Sequence, residues 1–507
     1  MTDLCRYAAY LRSRYQNVLG YCGLLWALIG GLIATPATLV ILFPAEQDTA
    51  LRFLAAGLPL ILVSLGIWIK FRPRSASSLT LNEASVIVVL SWLVAILAGA
   101  VPFLMLNLTW VQAIFESTSG WTTTGLSIID TGTASPLLLF YRSLMQLTGG
   151  AGLAILMLSA ITGPAGSSLN SAEGRAEQLV PHVKRSAQLV VILYGAYVVF
   201  GVLALRLAGM RWFDAINHAF CAPSTGGFST RPDSIGAWHS VSVDIVTTIL
   251  MLLGMMSFLT GYALWRGQLK KALHNSEIRL LIWLLPLAVT CLFIGSTLQL
   301  DGGFDGRFRL AMFQAISALS TTGFSSIDLR ELNEFGWLLI TILMLIGGGA
   351  GSTAGGIKLY RVYALSQGLF WNLRQQFLPV GAINRPVVWV GEERRFLNDQ
   401  QLRRIGIYVF LYLAVWLVGS CVLVAFGHGM SESLFEFAST LGTVGLSVGV
   451  TSIDASAGQL LLQSWGMIFG RLEFFVVVTG ILTLGRDLPL MARTPSNKGE
   501  HGNDEKK

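Results

Sequence analysis

One five-residue pattern, Thr-x-Gly-[Leu/Phe]-Ser, stands four times in this chain. The copies are Thr123-Thr124-Gly125-Leu126-Ser127, Thr225-Gly226-Gly227-Phe228-Ser229, Thr321-Thr322-Gly323-Phe324-Ser325 and Thr443-Val444-Gly445-Leu446-Ser447, at intervals of about 100 to 120 residues. A single copy reads as a helix-ending turn, with glycine at a left-handed position. Four copies reverse that reading. Extended backbone whose carbonyl oxygens face one axis replaces the water shell of a cation. Glycine supplies the unusual backbone angles and the close approach that such packing needs, and threonine adds a hydroxyl acceptor.

The likeness extends upstream. Nine residues before the glycines stand Glu116, His218, Gln314 and Glu436; twelve before stand Ala113, Ala215, Ala311 and Ser433. A semi-polar stretch of about three turns, such as Val111 to Ser119, is too short to span a bilayer and suits a re-entrant helix buried among others. Its C-terminal end, with partial negative charge, favours a cation over an anion. The unit is therefore helix, pore helix, extended segment, helix, repeated four times.

Those units need a membrane around them. The 507 residues are 53% hydrophobic and 12% charged, with a mean hydropathy of +0.63, which excludes an ordinary water-soluble globule. Ten apolar runs are long enough to cross a membrane: 17–43, 51–70, 83–106, 137–160, 186–208, 240–264, 278–298, 336–363, 404–426 and 460–484. Arg12 and Arg14 before an apolar run with Ala34-Thr35-Pro36-Ala37 have the look of a secretory leader, but the run is too long, and an uncleaved helix is expected. The net charge of +7 gathers at alternate helix ends: Arg6/Arg12/Arg14, Lys70/Arg72/Arg74, Arg175/Lys184/Arg185, Arg266/Lys270/Lys271/Arg279, Arg361 through Arg404, and Arg486 onward. That distribution speaks for cytoplasmic helix ends, both termini in the cytosol and no nucleic-acid partner. The tail from Thr494 to Lys507 is expected to be disordered and cytoplasmic. Cys5, Cys22, Cys221, Cys291 and Cys421 lack CxxC spacing and read as buried thiols.

Two intramembrane features interrupt the apolar pattern. Gly347-Gly348-Gly349-Ala350-Gly351-Ser352-Thr353-Ala354-Gly355-Gly356-Ile357-Lys358 places six glycines in ten residues, each costing about 1 kcal/mol relative to Ala in a helix. A break is predicted there, with close helix packing as the competing reading. Lys358 either binds carbonyls or snorkels to the interface. The GxGxxA match at Gly349–Ala354 lies inside an apolar run and has no acidic residue about 20 residues on, so it carries no nucleotide site. Arg471 sits within 460–484, where an arginine at mid-membrane costs about 2.5 to 3.5 kcal/mol and must face protein or water. Glu473, two residues on, points to a different side of a continuous helix.

Over residues 83 to 484 these motifs resemble the TrkH/TrkG/KtrB superfamily of K⁺ transporters. Gly125, Gly227, Gly323 and Gly445 match that family's filter glycines, and Thr443-Val444-Gly445 is close to the TVG of K⁺ channels. The extra N-terminal helix pair looks like that of the TrkH branch. The resemblance implies K⁺ held at Thr123, Thr124, Gly125, Thr225, Gly226, Gly227, Thr321, Thr322, Gly323, Thr443, Val444 and Gly445. It further implies a gate at Gly347 to Gly356 and Lys358 that obstructs the pore, with Arg471 against it, hindering cations. A homodimer with one pore per subunit, and a cytoplasmic TrkA/KtrA-type RCK ring that binds nucleotide, are implied in the same way. By the same resemblance the transported ion is expected to be K⁺, and no organic cofactor is expected in this chain.

The fold class is therefore an all-α membrane protein with four fused helix–pore loop–helix repeats around one pore, behind two extra helices. The expected divisions are 1–76 for the N-terminal pair, 77–175, 176–275, 276–399 and 400–490 for the repeats, and 491–507 for the tail. A bacterial inner membrane is the expected location. An enzyme is not expected: Gly445-Leu446-Ser447-Val448-Gly449 matches GxSxG, but the strand-to-helix elbow is missing. A symporter coupling K⁺ to Na⁺ or H⁺ is the competing reading, although such folds usually show two-fold inverted repetition.

Overall fold

The computed structural model describes residues 3–72, 79–105, 107–152, 183–379, 386–390 and 393–492. The junctions expected at 76/77 and 175/176, the basic Arg74 and Arg175, the second half of run 137–160 and the tail from Thr494 lie outside the described residues, as do the side chains of Lys184 and Arg185.

Helices α1 (Asp3–Ala34) and α2 (Gln47–Phe71) form an antiparallel pair. Their backbones meet closely: a Cβ on Gly57 would stand 2.6 Å from the Gly30 carbonyl oxygen, as small residues permit between membrane helices. Next come α3 (Leu81–Leu104), the short α4 (Trp110–Trp121) and α5 (Pro136–Ala151). The pattern returns with α6 (Val183–Leu207), short α7 (Trp212–Cys221), and α8 (Val241–Met255) followed by α9 (Phe258–Trp265). After the small α10 (Leu269–His274), it returns again with α11 (Ser276–Gly295), α12 (Phe304–Leu319), α13 (Glu334–Ile346) and α14 (Leu359–Gln375). The last set is α15 (Asp399–Ala425), short α16 (Met430–Leu441), α17 (Ala457–Leu472) and α18 (Phe474–Ala492).

Helix starts follow capping chemistry. Thr80 with Glu83, Thr109 with Gln112 and Asn398 with Gln401 form reciprocal capping boxes at α3, α4 and α15, satisfying amide donors that would otherwise be orphaned in an apolar setting. The fold is that of an all-α membrane protein. A small antiparallel hairpin, β1 (Val387–Val390) with β2 (Glu393–Phe396), was not anticipated.

Among the described residues seven helices are long and apolar enough to cross a membrane, eight if the bent pair α8/α9 counts as one span. The difference from ten lies in the expected runs 240–264 and 336–363, which are interrupted, and in 137–160, of which α5 covers only the first part; the run 460–484 is interrupted as well, but α18 stands for it among the seven. Helices α8 and α9 diverge by 117°, α13 and α14 are separated by the glycine-rich loop, and α17 and α18 part at Glu473, whose φ is +59°. Each break frees backbone groups, and at the α8/α9 break the loop takes them up: Gly349 N donates to Met255 O.

Candidate ion filter and gate

The four Thr-Gly segments follow the short helices α4, α7, α12 and α16 and share one backbone path. Thr123, Thr225, Thr321 and Thr443 have φ of +56°, +53°, +55° and +51°; two residues on, Gly125, Gly227, Gly323 and Gly445 have φ of +91°, +74°, +81° and +93°. A β-branched residue in the left-handed region is strained, and here the strain recurs at equivalent places. The amides turn back onto the short helix, as when Thr124 N donates to Ser119 O at 3.0 Å and Val444 N to Ser439 O at 2.8 Å.

The segments close a ring in chain order. A Cβ on Gly125 would collide with the carbonyl oxygen of Gly226, one on Gly227 with that of Thr322, one on Gly323 with that of Val444, and one on Gly445 with that of Thr124. Only glycine fits at these positions. The four glycines form the floor of a vestibule of about 890 Å³ that carries Asp130, Asp233, Asp328 and Glu331 along with Arg231 and Arg330. In its wall the Asp328 carboxyl is held below the ordinary carboxylate range by the hydrogen bond from Arg330.

On the other side of the ring lie the threonine hydroxyls. All four threonines are buried. The Oγ1 atoms of Thr123 and Thr443 have no hydrogen-bond partner among the described residues, Thr225 Oγ1 donates to Ser224 O at 2.7 Å, and Thr321 Oγ1 accepts from Gly355 N at 2.8 Å. The last bond joins the ring to the interrupting loop.

That loop, 347–358, breaks the helix where the glycine density predicts. Gly347, Gly351 and Gly356 have positive φ, as does Lys358 at +84°. Gly349 N donates to Met255 O at 2.8 Å, and Thr353 Oγ1 stands 2.9 Å from both Pro223 O and Gly254 O. The loop thus takes up carbonyls freed at the α8/α9 break. Lys358 Nζ donates to the Ala354 carbonyl. Arg471 Nη1 donates to Thr353 O at 2.6 Å, and its Nη2 to the carbonyls of Gly149 and Gly150. A cavity of about 30 Å³ beside it is lined by Gly351, Gly355, Gly356, Lys358, Gly470 and Arg471 among others. Such a space holds about one water. Glu473 accepts from Arg361 Nη2 at 2.7 Å, joining the α17/α18 break to α14.

A family model described as a cation transport protein, TrkH, matches residues 50–484. This chain belongs to the TrkH family of cation transport proteins. The TrkH family's activity is transport and not enzyme chemistry; in this chain the serine of the GxSxG match, Ser447, donates to buried Glu436 at 2.9 Å. The chain is 29% identical over 486 residues to the Trk system potassium uptake protein TrkH of Salmonella typhimurium, covering 92% of this chain and 98% of that protein. It is 28% identical over 485 residues to the Trk system potassium uptake protein TrkG of Escherichia coli, covering 92% and 97%, and 28% identical over 476 residues to an uncharacterized cation transporter of Methanocaldococcus jannaschii, covering 92% and 96%. The crystal structure of the potassium transporter TrkH from Vibrio parahaemolyticus superposes with a TM-score of 0.78 at 26% identity, covering 92% of this chain and 98% of that one.

Behind the ring, this TrkH-family chain has a scaffold that sequence reading only half found. The residues nine before each glycine were visible as a pattern without a role. Each reaches the serine two after its own glycine: Ser127 Oγ donates to Glu116 Oε1 at 2.9 Å, His218 Nε2 meets Ser229 Oγ at 3.0 Å, Gln314 Nε2 donates to Ser325 Oγ at 3.0 Å, and Ser447 Oγ donates to Glu436 Oε1 at 2.9 Å. Arg142 and Gln146 on α5 were missed. Arg142, 1% exposed, pairs with Glu116 at 2.9 Å and lies 4.0 Å from the centre of the Phe228 ring. Gln146 Nε2 donates to Gly226 O at 2.5 Å, and its Oε1 accepts from Phe228 N at 3.1 Å. The only signal for either was a charged or amide residue inside a span that pays to bury it.

Proposed function

We propose that this protein takes up K⁺ across a bacterial inner membrane through the axis of the four Thr-Gly segments. The observation that carries the reading is the ring itself: four carbonyls set against four glycines in chain order, with the hydroxyls of Thr123 and Thr443 buried and unpartnered just beneath. A buried acceptor without a donor is costly, and a dehydrated cation repays that cost. The names of the relatives, potassium uptake proteins of the Trk system, support K⁺ as the ion.

In this reading Thr123, Thr124, Gly125 and their counterparts in the other three segments hold the ion. The loop from Gly347 to Lys358 obstructs the path below, and Arg471 adds a positive charge where water is scarce. The chain works as a homodimer with one pore per subunit, both termini in the cytosol, over an RCK-type ring that binds nucleotide and docks against basic segments such as Arg394, Arg395, Arg403 and Arg404. Vesicles containing the purified full chain should accumulate K⁺ in strong preference to Na⁺; equal uptake of both ions would overturn the reading.

A further inference from the structure

Below the loop, buried polar residues that conduction does not use form one connected chain. The Ser257 hydroxyl, capping α9, is 2.9 Å from that of Thr260. Asn275 Nδ2 donates to Thr260 Oγ1 at 2.9 Å, and its Oδ1 accepts from Glu277 N at 3.0 Å. Glu277 Oε1 in turn accepts from Ala350 N, in the loop, at 2.6 Å. Ser257, Thr260, Asn275 and Glu277 are each 6% exposed or less. Beside Glu277, fully buried Ser276 accepts from Trp389 N of β1 at 2.7 Å. The Trp389 ring packs edge-on to His274 and lies 5.4 Å from the Arg279 guanidinium.

We infer that Glu277 is the positioning residue that holds the loop across the pore, and that the β1–β2 hairpin sets its place through Ser276. A carboxylate accepting a backbone amide makes one of the stronger hydrogen bonds available, and here it meets the loop at Ala350, five residues from Gly355, which meets the ring at Thr321. The fit is close: a Cβ on Gly349 would stand 2.8 Å from Glu277 Oε2. Gly349 and Ala350 are therefore clamped between the Met255 carbonyl and this carboxylate. The hairpin lies between α14 and α15, outside the apolar spans, so force applied to it reaches the loop through two neighbouring residues, Ser276 and Glu277. That is a short route from a cytoplasmic surface to an obstruction within the membrane.

The inference rests on the conduction reading, and the experiment keeps the two apart. K⁺ and Na⁺ fluxes are measured in vesicles holding the full chain alone, for the wild type, Glu277→Ala, Glu277→Gln and Ser276→Ala. Without the carboxylate, K⁺ flux per folded protein should rise about fivefold to tenfold, with Glu277→Gln between the two and Ser276→Ala up about twofold, because each step weakens one bond in the same chain. The K⁺/Na⁺ ratio should stay within about twofold of wild type, since selectivity is set in the ring above. Ser352→Cys should react faster with a soluble thiol reagent when combined with Glu277→Ala, and an unchanged rate in the folded double variant overturns the inference. Unchanged K⁺ flux in a folded Glu277→Ala overturns the inference, and so does a fall in flux that tracks lost thermal stability. Should Glu277→Ala fail to fold, unchanged flux in both Glu277→Gln and Ser276→Ala overturns it equally. K⁺ flux absent from the wild type and from every folded variant alike would instead sink the conduction reading.

Discussion

Arg471 donates to the carbonyl oxygen of Thr353 at 2.6 Å, tying the last helix before the α17/α18 break to the middle of the interrupting loop. The same guanidinium reaches the carbonyls of Gly149 and Gly150 at the end of α5. It therefore both carries charge beneath the ring and fixes the loop from a second side.

Two unit charges about 4 Å apart repel by roughly 1 kcal/mol in bulk water and roughly 4 kcal/mol at an effective dielectric of 20. Arg471→Gln should consequently raise K⁺ flux by between about fivefold and several hundredfold, at tenfold per 1.36 kcal/mol. Selectivity should hold. A drop in flux per folded protein, together with a lower melting temperature, would make Arg471 an anchor only.

Gly227→Ser and Gly323→Ser place a side chain against the carbonyls of Thr322 and Val444. Each should lower K⁺/Na⁺ discrimination about tenfold or more, a change of about 1.4 kcal/mol between the two ions. Competition of Na⁺ for K⁺ uptake measures it. If all four single Gly→Ser variants discriminated as the wild type does, the ring would not be the filter.

Deleting Gly349 to Gly351 removes the amide that meets Met255 O and the neighbour that meets Glu277. Basal K⁺ flux should rise and depend less on a cytoplasmic partner. An inserted, folded deletion with wild-type flux would favour helix packing as the reason for the glycines.

Glu116→Ala leaves buried Arg142 without its carboxylate, and breaking a buried pair in this way costs about 3 to 5 kcal/mol. The melting temperature should fall clearly. Adding Arg142→Met should recover part of the loss, because the stranded charge goes with it; a double variant less stable than Glu116→Ala would argue against the pairing as the cause.

The parts of this molecule that repeat, or that break a strong local rule, were legible in its sequence. The four glycines, the residues nine before them and the short helices were legible because equivalent jobs need equivalent residues: Val111 to Ser119 lies within α4. The loop at 347–358 was legible because glycine is a poor helix former. The breaks at Met256 and Glu473 were not, since each has only a single glycine nearby, Gly254 and Gly470, and no proline; what meets them is distant in sequence, the loop amide on Met255 O and Arg361 on Glu473. Arg142 and Gln146 were hidden for the same reason. Their partners, Glu116 and Gly226, lie 26 and 80 residues away.

The closed ring of Thr124, Gly226, Thr322 and Val444 carbonyls is made by one polypeptide, and its four quadrants are chemically unequal. Gly226 answers to Gln146, Thr321 to the loop, and the supports behind are two glutamates, a histidine and a glutamine. In a ring of four identical chains a single mutation is imposed four times. Here it is imposed once. On the filter reading proposed above, a change worth about 0.5 kcal/mol per quadrant shifts ion affinity about twofold in this chain and about thirtyfold under four-fold symmetry. On that reading the fused architecture lets ion preference drift in small, separable steps, one quadrant at a time.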